Sequence, residues 1–380
     1  MRSSSPDQRR ASLEKMLSID LSALSIDPKQ LGDADQKNCE QMFGHVPIPV
    51  GYAGPLPITF SSGESVDIHL PLATTEGALV ASVNRGCKAL REAGGVKVES
   101  VYHGVTRSLA FKLKNNKQQP CQKIIDAIHQ MQHEWKMVGE STSNHLKILK
   151  YDIDIEAPYL FLTIYADTDR AMGMNMVTIA AQKIGEWIQK NLNLEFITVA
   201  GNVDSDKKPS KRTHDRGRGY EVTASATISA DVISNILKTT PDTMVEVANA
   251  KLDAGSRIAG ALGSNLHAAN IIAALYLATG QDAAHVVEGS MADTECKMKN
   301  EKCKITIRIP AILVGTVGGG TELPAQQQCL NILLQSKTSH LKPTQQLAES
   351  IGAAVLAGEL SLLAALSSHH LAQSHKTLAR

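Results

Sequence analysis

Six cysteines, at 39, 87, 121, 296, 303 and 329, form no CxxC and no Cys/His pairing at zinc-ligand spacing, so no metal site is expected. In a chain of 380 residues this pattern reads as reduced, mostly buried thiols and therefore as a cytoplasmic protein. Aromatic residues are only 4%, which argues against base stacking as a main binding mode. With 39 Lys and Arg against 38 Asp and Glu, the chain lacks the global basic field that would hold nucleic acid or an anionic membrane. The basic N-terminus MRSSSPDQRRASLEKML is followed by no apolar h-region, which excludes a secretory signal. No run approaches about 18 uninterrupted apolar residues, so no membrane span is expected. GxGxxG after a strand, a Walker sequence, GxSxG and HExxH are all missing, which disfavours a Rossmann domain, a P-loop, an α/β-hydrolase and a zinc protease.

What is present is globular usage, 43% hydrophobic and 20% charged, in a length that fits two or three domains. Residues 1–37 are polar and helical in flavour, with Leu13, Met16, Leu17 and Leu21 at helical spacing. Four prolines and two glycines within residues 47–57 predict a fixed, irregular backbone. A strand is expected at 66–70. A helix follows from Thr74 to Ala93, capped by Thr74 or Thr75 with Glu76 in its first turn and closed by Gly94-Gly95. Strands at 109–114, 145–153, 158–166 and 195–199 alternate with helices at 120–138 and 172–190, the strand-helix-strand-strand-helix-strand order of a ferredoxin-like module. The expected fold is α+β: a large mixed helical and sheet domain, 38–108 with 199–380, interrupted by a ferredoxin-like insert at 109–198. The large domain adds strands at 221–229 and 304–312, and helices at 241–252, at 266–279 and after Pro343.

Five segments concentrate glycine with ionisable residues, and each has a plain reading beside a functional one. Glu76 is either a dipole-complementing residue at a helix start or a carboxylate aimed by the rigid loop before it. Gly201–Pro209, with Asp204, Asp206, Lys207 and Lys208, is either a hydrated loop or a lysine held by a carboxylate and aimed at a developing oxyanion. Asp282, after the helix that follows His267-Ala268-Ala269-Asn270, is a turn residue or a buried carboxylate in want of a lysine. Gly318-Gly319-Gly320 is a hinge or an anion-binding concavity. His375 is an idle terminal residue or a proton donor. Met172, Met174 and Met176 fill core gaps by default, while Gly173 at a helix start opens backbone donors to a phosphate.

Taken together the segments resemble the 3-hydroxy-3-methylglutaryl-coenzyme A (HMG-CoA) reductases of class I type, reduced to their catalytic portion. The resemblance rests on PIPVGYAGPLPI at 47–58, PLATTEGALVASVNRGCKAL at 71–90, HGVTR at 103–107 and AMGMNMV at 171–177. It continues through DKKP at 206–209, HAANI at 267–271, GQD at 280–282, GTVGGGT at 315–321 and AGELSLLAALSSHHLAQSH at 357–375.

That resemblance implies reduction of the HMG-CoA thioester to mevalonate, with two hydrides taken from NADPH. NADH with the reverse, mevalonate-oxidising direction is one alternative, and a catalytically weak acyl-CoA-binding protein is another. By motif, Glu76, Lys207, Asp282 and His375 take the catalytic roles: Lys207 steadies the oxyanion, Asp282 holds Lys207 and tunes Glu76 for proton donation, and His375 protonates the departing CoA thiolate. Arg107, Lys208 and Lys251, with Asn270 nearby, are implied for the substrate carboxylate, and Asn84 and Arg85 for the CoA side. The insert is implied to be the NADPH-binding domain through Gly173, Met174 and Asn175, with Gly318 and Gly319 also meeting the cofactor. The family's site lies between subunits, which implies a homodimer or a higher homo-oligomer. Four positions depart from the family pattern: Arg170 stands where an aspartate is usual, Ala200 replaces a serine, the interface motif ENxxG appears as Glu40-Gln41-Met42-Phe43-Gly44, and Gln373 replaces a lysine.

Overall fold

The computed structural model describes residues 5–113, 121–299, 302–335, 338 and 340–368. Its strands are β1 Val50–Thr59, β2 Ser65–Ala73, β3 Val96–Leu113, β4 Lys147–Glu156, β5 Tyr159–Asp167, β6 Leu194–Thr198, β7 Arg218–Ile228, β8 Asp293–Lys299 and β9 Lys302–Ile312. The helices that matter below are α1 Pro6–Leu17, α2 Leu79–Glu92, α3 Cys121–Gln130, α4 Gln132–Glu140, α5 Met174–Asn191, α6 Lys211–Arg216, α7 Ala268–Thr279 and α8 Pro343–Ser367.

Two sheets share β3. Its first half pairs with β7, from Lys97 opposite Ser225 to Gly104 opposite Gly219. Its second half pairs with β5, from Val105 opposite Ala166 to Lys112 opposite Tyr159. The handover falls at Gly104, where φ is +90° and the ladder with β7 is irregular. The larger sheet runs β2-β1-β3-β7-β9-β8. The smaller runs β4-β5-β3-β6, antiparallel throughout, with α3, α4 and α5 as its helices. That order is the split βαβ arrangement expected from the sequence. Two apolar cores follow. One gathers α2, α7, α8 and the larger sheet; the other gathers Leu109, Phe111, Trp135, Leu162, Ile184 and their neighbours in the smaller.

Several local expectations need correction. The proline-rich segment becomes strand β1 from Val50 onward, because a register shift between Ala53 and Leu56 takes Pro55 out of the ladder. The helix expected at 120–138 breaks at Met131. The break lets buried Trp135 turn inward and donate its indole N–H to the Ile128 carbonyl at 3.0 Å. The helix expected at 241–252 runs over Pro241–Ala248 and then widens to π pitch across Asn249–Gly255, which carries Lys251. In α1, Met16 and Leu17 are exposed, so the apolar spacing seen there packs against nothing at those two positions.

Helix α8 has the length and hydropathy of a membrane span, but 89% of its most apolar window is buried inside the protein. Its two glutamates show why it belongs there. Glu349 accepts from the Ser61 amide and hydroxyl and from Ser100, while Glu359 accepts from the amides of Leu266 and His267 and from the Thr294 hydroxyl. Buried carboxylates this fully bonded belong to a core helix. The same helix fixes the entry to α7, whose preceding loop hangs on Glu359.

Candidate active site

Helix α2 begins at Leu79, five residues later than the sequence predicts, and neither Thr74 nor Thr75 caps it. Ala78 takes the cap position in a left-handed conformation, and Thr74 instead accepts from the Glu76 amide at 3.0 Å. Glu76 therefore stands on a short loop between β2 and α2. Its carboxylate accepts from Asn270 Nδ2 at 2.9 Å, near the start of α7.

At the other end of α7, Gly280 closes the helix with φ +70°. Asp282 lies beyond that terminus and accepts from the Ala284 amide at 3.0 Å, capping the next turn. The dipole conflict expected for it at a helix C-terminus is thereby removed. Its Oδ2 meets Lys207 Nζ at 2.7 Å. Burial pushes the Asp282 carboxyl up, but Lys207 and the Ala284 amide outweigh it and hold the group below its ordinary value.

Lys207 is exposed at its tip and left-handed at its backbone, with φ +57°. The loop that carries it is no hydrated surface run, because its carboxylates turn inward. Asp204 is buried and faces Arg107 NH1 at 3.5 Å. Asp206 reaches Arg107 at 3.5 Å and Arg218 at 2.9 Å. Burial raises the Asp204 carboxyl despite both arginines, whereas the closer Arg218 wins at Asp206 and lowers it. Arg218 is fully buried and also binds Glu288 Oε1 at 2.6 Å. The same oxygen accepts the Lys207 amide at 2.7 Å and lies 3.3 Å from His285 Nδ1. Asp206, His285 and Glu288 have metal-ligand chemistry and lie close together, but the Arg218 guanidinium already neutralises two of the three.

A cleft of about 500 Å3 opens between the two sheets' loops. Its lining joins Gly173, Met174 and Asn175 from the smaller unit to Lys207, Gly280, Asp282, Gly318 and Gly319 from the larger. Gly173 precedes α5 with φ +86° and contributes no side-chain cap, so the helix's first amides face the cleft unblocked. Gly318 and Gly319 have nothing within 4 Å of a built Cβ, while Gly320 packs against Gly280, its Cβ position 2.6 Å from that carbonyl oxygen. Only the third glycine is thus demanded by packing. The Met174 side chain turns away from the cleft, its Sδ 3.2 Å from Arg218 NH2.

Other expected site residues lie elsewhere. Arg107 sits under the Lys207 loop and donates to Thr178 at 2.9 Å as well as to the two aspartates. Lys208 is exposed beside it and donates to the Asp206 carbonyl. Asn84 accepts from the Gly54 amide, and Arg85 donates to the Ser361 hydroxyl and carbonyl on α8. Lys251 is exposed on the π-pitch segment. His375 lies outside the described residues. Arg218, His285 and Glu288 escaped the sequence reading. The available signal was a charged residue inside an otherwise apolar run, as in HVVEGS at 285–290.

Similarity to known proteins agrees with this geometry. A family model described as hydroxymethylglutaryl-coenzyme A reductase matches residues 5–380. The 3-hydroxy-3-methylglutaryl-coenzyme A reductase of Methanocaldococcus jannaschii is 41% identical, over 98% of this chain and 92% of the relative. Reductase 1 of Dictyostelium discoideum is 39% identical over 97% of this chain and 67% of the relative. Among solved structures, the class II reductase of Streptococcus pneumoniae bound to NADPH superposes with a TM-score of 0.69 at 18% identity, covering 96% of this chain and 97% of that one. At that identity what is shared is the fold. Family model, relatives and fold agree over nearly the whole length, and the chain belongs to the hydroxymethylglutaryl-coenzyme A reductase family.

Proposed function

We infer that this chain reduces HMG-CoA to mevalonate and CoA with two NADPH. The observation that carries the reading is the Lys207–Asp282 pair, at 2.7 Å, on the wall of a cleft whose other wall is the uncapped start of α5. Those amides, with the bare backbone of Gly318 and Gly319, suit the pyrophosphate of a dinucleotide. NADPH bound there supplies the hydrides. Lys207 holds the oxyanion that forms as the thioester carbonyl is reduced, and Asp282 keeps the ammonium aimed. His375 protonates the departing thiolate, and Glu76 serves as proton donor.

Spacing also supports a site shared between two copies of the chain. Glu76 is bonded at Asn270 and Lys207 at Asp282, and about 15 Å of helix lies between Asn270 and the closing Gly280. A second copy that presents its Glu76 to this Lys207 closes the gap. Class I typing is part of the same reading. The ATTEG and DKKP segments carry it, together with identities of 38–41% to archaeal relatives against 17–18% for the class II structures. Residues 109–198 serve as the NADPH-binding unit. Free thiols at Cys39, Cys87, Cys296, Cys303 and Cys329 favour a cytoplasmic setting.

The test is loss of nicotinamide absorbance with HMG-CoA, with NADPH and NADH run in parallel. Two NADPH consumed per mevalonate is the expected result, and faster use of NADH would reverse the proposed direction. Lys207→Ala is expected to cut turnover about a hundredfold or more while the protein stays folded. Near-normal turnover in that variant would remove the oxyanion role.

A further inference from the structure

We propose that Glu288 and His285 are positioning residues for Lys207, forming a buried bracket that holds the lysine at both its backbone and its ammonium. The proposal rests on the reading of Lys207 as the oxyanion-binding lysine. Four contacts close a ring. Glu288 Oε1 accepts the Lys207 amide at 2.7 Å, and Lys207 Nζ meets Asp282 Oδ2 at 2.7 Å. His285 then spans the two carboxylates, its Nδ1 3.3 Å from Glu288 Oε1 and its Nε2 3.8 Å from Asp282 Oδ2. Lys207 is one corner of this ring, and the other three come from the seven residues 282–288 that follow α7, a 3-10 turn running into a short helix.

The burial of the bracket makes it a fixed frame. His285 and Glu288 are fully buried, whereas the side chains of Lys207 and Asp282 are 40% and 33% exposed. Arg218, itself fully buried, binds Glu288 Oε1 at 2.6 Å and Asp206 at 2.9 Å, so a swing of the Glu288 carboxylate would strip a buried guanidinium of one of its two carboxylate partners. The groups facing the bracket are therefore Asp206, Arg218, Lys207 and Asp282, with the Tyr276 ring of α7 also buried nearby.

The need for such a frame comes from the lysine's backbone. Lys207 holds φ +57°, a left-handed conformation that costs a non-glycine residue about a kilocalorie or two and persists only where the surroundings enforce it. The Ser205–Lys208 turn bond at 3.1 Å spans the residue, and the Glu288 bond to its amide ties that turn to the buried frame. A lysine fixed in this way presents its ammonium in one direction and loses little freedom when charge develops in front of it.

His285 has a second part to play. Glu288 already accepts from Arg218 and from the Lys207 amide, so the ring nitrogen facing it is a donor, and Nε2 is left turned toward Asp282 with no hydrogen bond. When Lys207 leans toward substrate, Asp282 keeps the Ala284 amide at 3.0 Å on Oδ1, and the His285 ring, 3.8 Å from Oδ2, bounds the side that the lysine vacates. The bracket thus steadies Asp282 through the step in which its lysine is engaged elsewhere.

The experiment compares Glu288→Ala, Glu288→Gln, His285→Ala and His285→Gln with the parent and with Lys207→Ala. Steady-state kinetics are paired with acetic anhydride labelling of Lys207, read by peptide mass spectrometry, on the folded full-length protein. Glu288→Ala and His285→Ala are expected to lower kcat at least tenfold while KM for HMG-CoA moves less than twofold. The glutamine variants keep a hydrogen-bonding group and are expected to recover most of that loss. Labelling of Lys207 is expected to rise several-fold in the alanine variants. If Glu288→Ala fails to fold, Glu288→Gln and the His285 pair decide the matter. Unchanged labelling and kcat in folded variants of both residues would overturn the bracket. A Lys207→Ala variant with normal turnover would instead strike at the reading of Lys207 itself, since the labelling result does not depend on catalysis.

Discussion

A Cβ built on Gly86 would lie 1.9 Å from the carbonyl oxygen of Ala357, where α2 crosses α8. Backbone at that distance cannot be moved aside as a side-chain tip can. Gly86→Ala is therefore expected to cost on the order of 2–3 kcal/mol by forcing the helices apart, read from the midpoint of denaturant unfolding. A midpoint equal to the parent's would mean the crossing is looser than described. Glu359 has the opposite kind of indispensability, since three donors depend on its carboxylate. Glu359→Ala should cost about 3 kcal/mol and Glu359→Gln clearly less, because the amide still offers one acceptor. At this scale the sequence is an uneven guide. Lys207 and Asp282 stand in dense polar segments that invite a carboxylate and a lysine as partners. Glu288 stands in an apolar run and Arg218 is one arginine of a charged one, and the two are 70 residues apart in the chain, where no spacing rule reaches. Gly86 falls inside NRGCK, a segment read for ligand contact, and its packing demand is set by a helix some 270 residues further on.

Among the elements, the strand-helix order of the smaller sheet was readable because its periodicities are clean and its connections short. Strand β8 was not, because Glu295 and Lys297 face outward between the buried Thr294 and Cys296 and give it a polar look. The start of α2 was misread because Thr74, Thr75 and Glu76 are good capping chemistry spent on a loop. The turn after α7 and the 201–210 loop share an acid-sensitive design. Asp206 and Asp282 are pulled up by burial but held below their ordinary 3.8 by Arg218 and Lys207 respectively. Folded values that lie below the unfolded ones stabilise the protein fully above about pH 4, and that contribution is lost as pH falls through the lowered values. Asp204, raised by burial, works the other way, its penalty easing as it protonates. Asp206→Asn is expected to be less stable than the parent at pH 7, with the difference shrinking toward pH 3 in thermal unfolding. A difference that stays constant across that range would mean Asp206 carries no net charge coupling.

For the whole molecule, the separation of Glu76 from Lys207 along α7 gives an assembly test. Two inactive variants, Glu76→Gln and Lys207→Ala, are mixed under conditions that exchange subunits. With random pairing half the dimers are mixed and each mixed dimer keeps one intact site, so about a quarter of the parent activity should return. No recovery would place both groups in one subunit's site. The mixed α+β class was visible in the sequence, but the strand common to both sheets was not. The two sheets are joined through a continuous strand, β3, whose pairing changes from β7 to β5 at Gly104. That glycine is at φ +90°, and a Cβ there would come within 3.0 Å of the Ala166 amide. The strand changes sheets at one backbone position, and the cleft lies beside a second junction, where Ala171 bridges Val317 and the Thr316 amide donates to the Arg170 carbonyl at 2.8 Å. A side chain at position 104 would therefore press on β5 where the two sheets part.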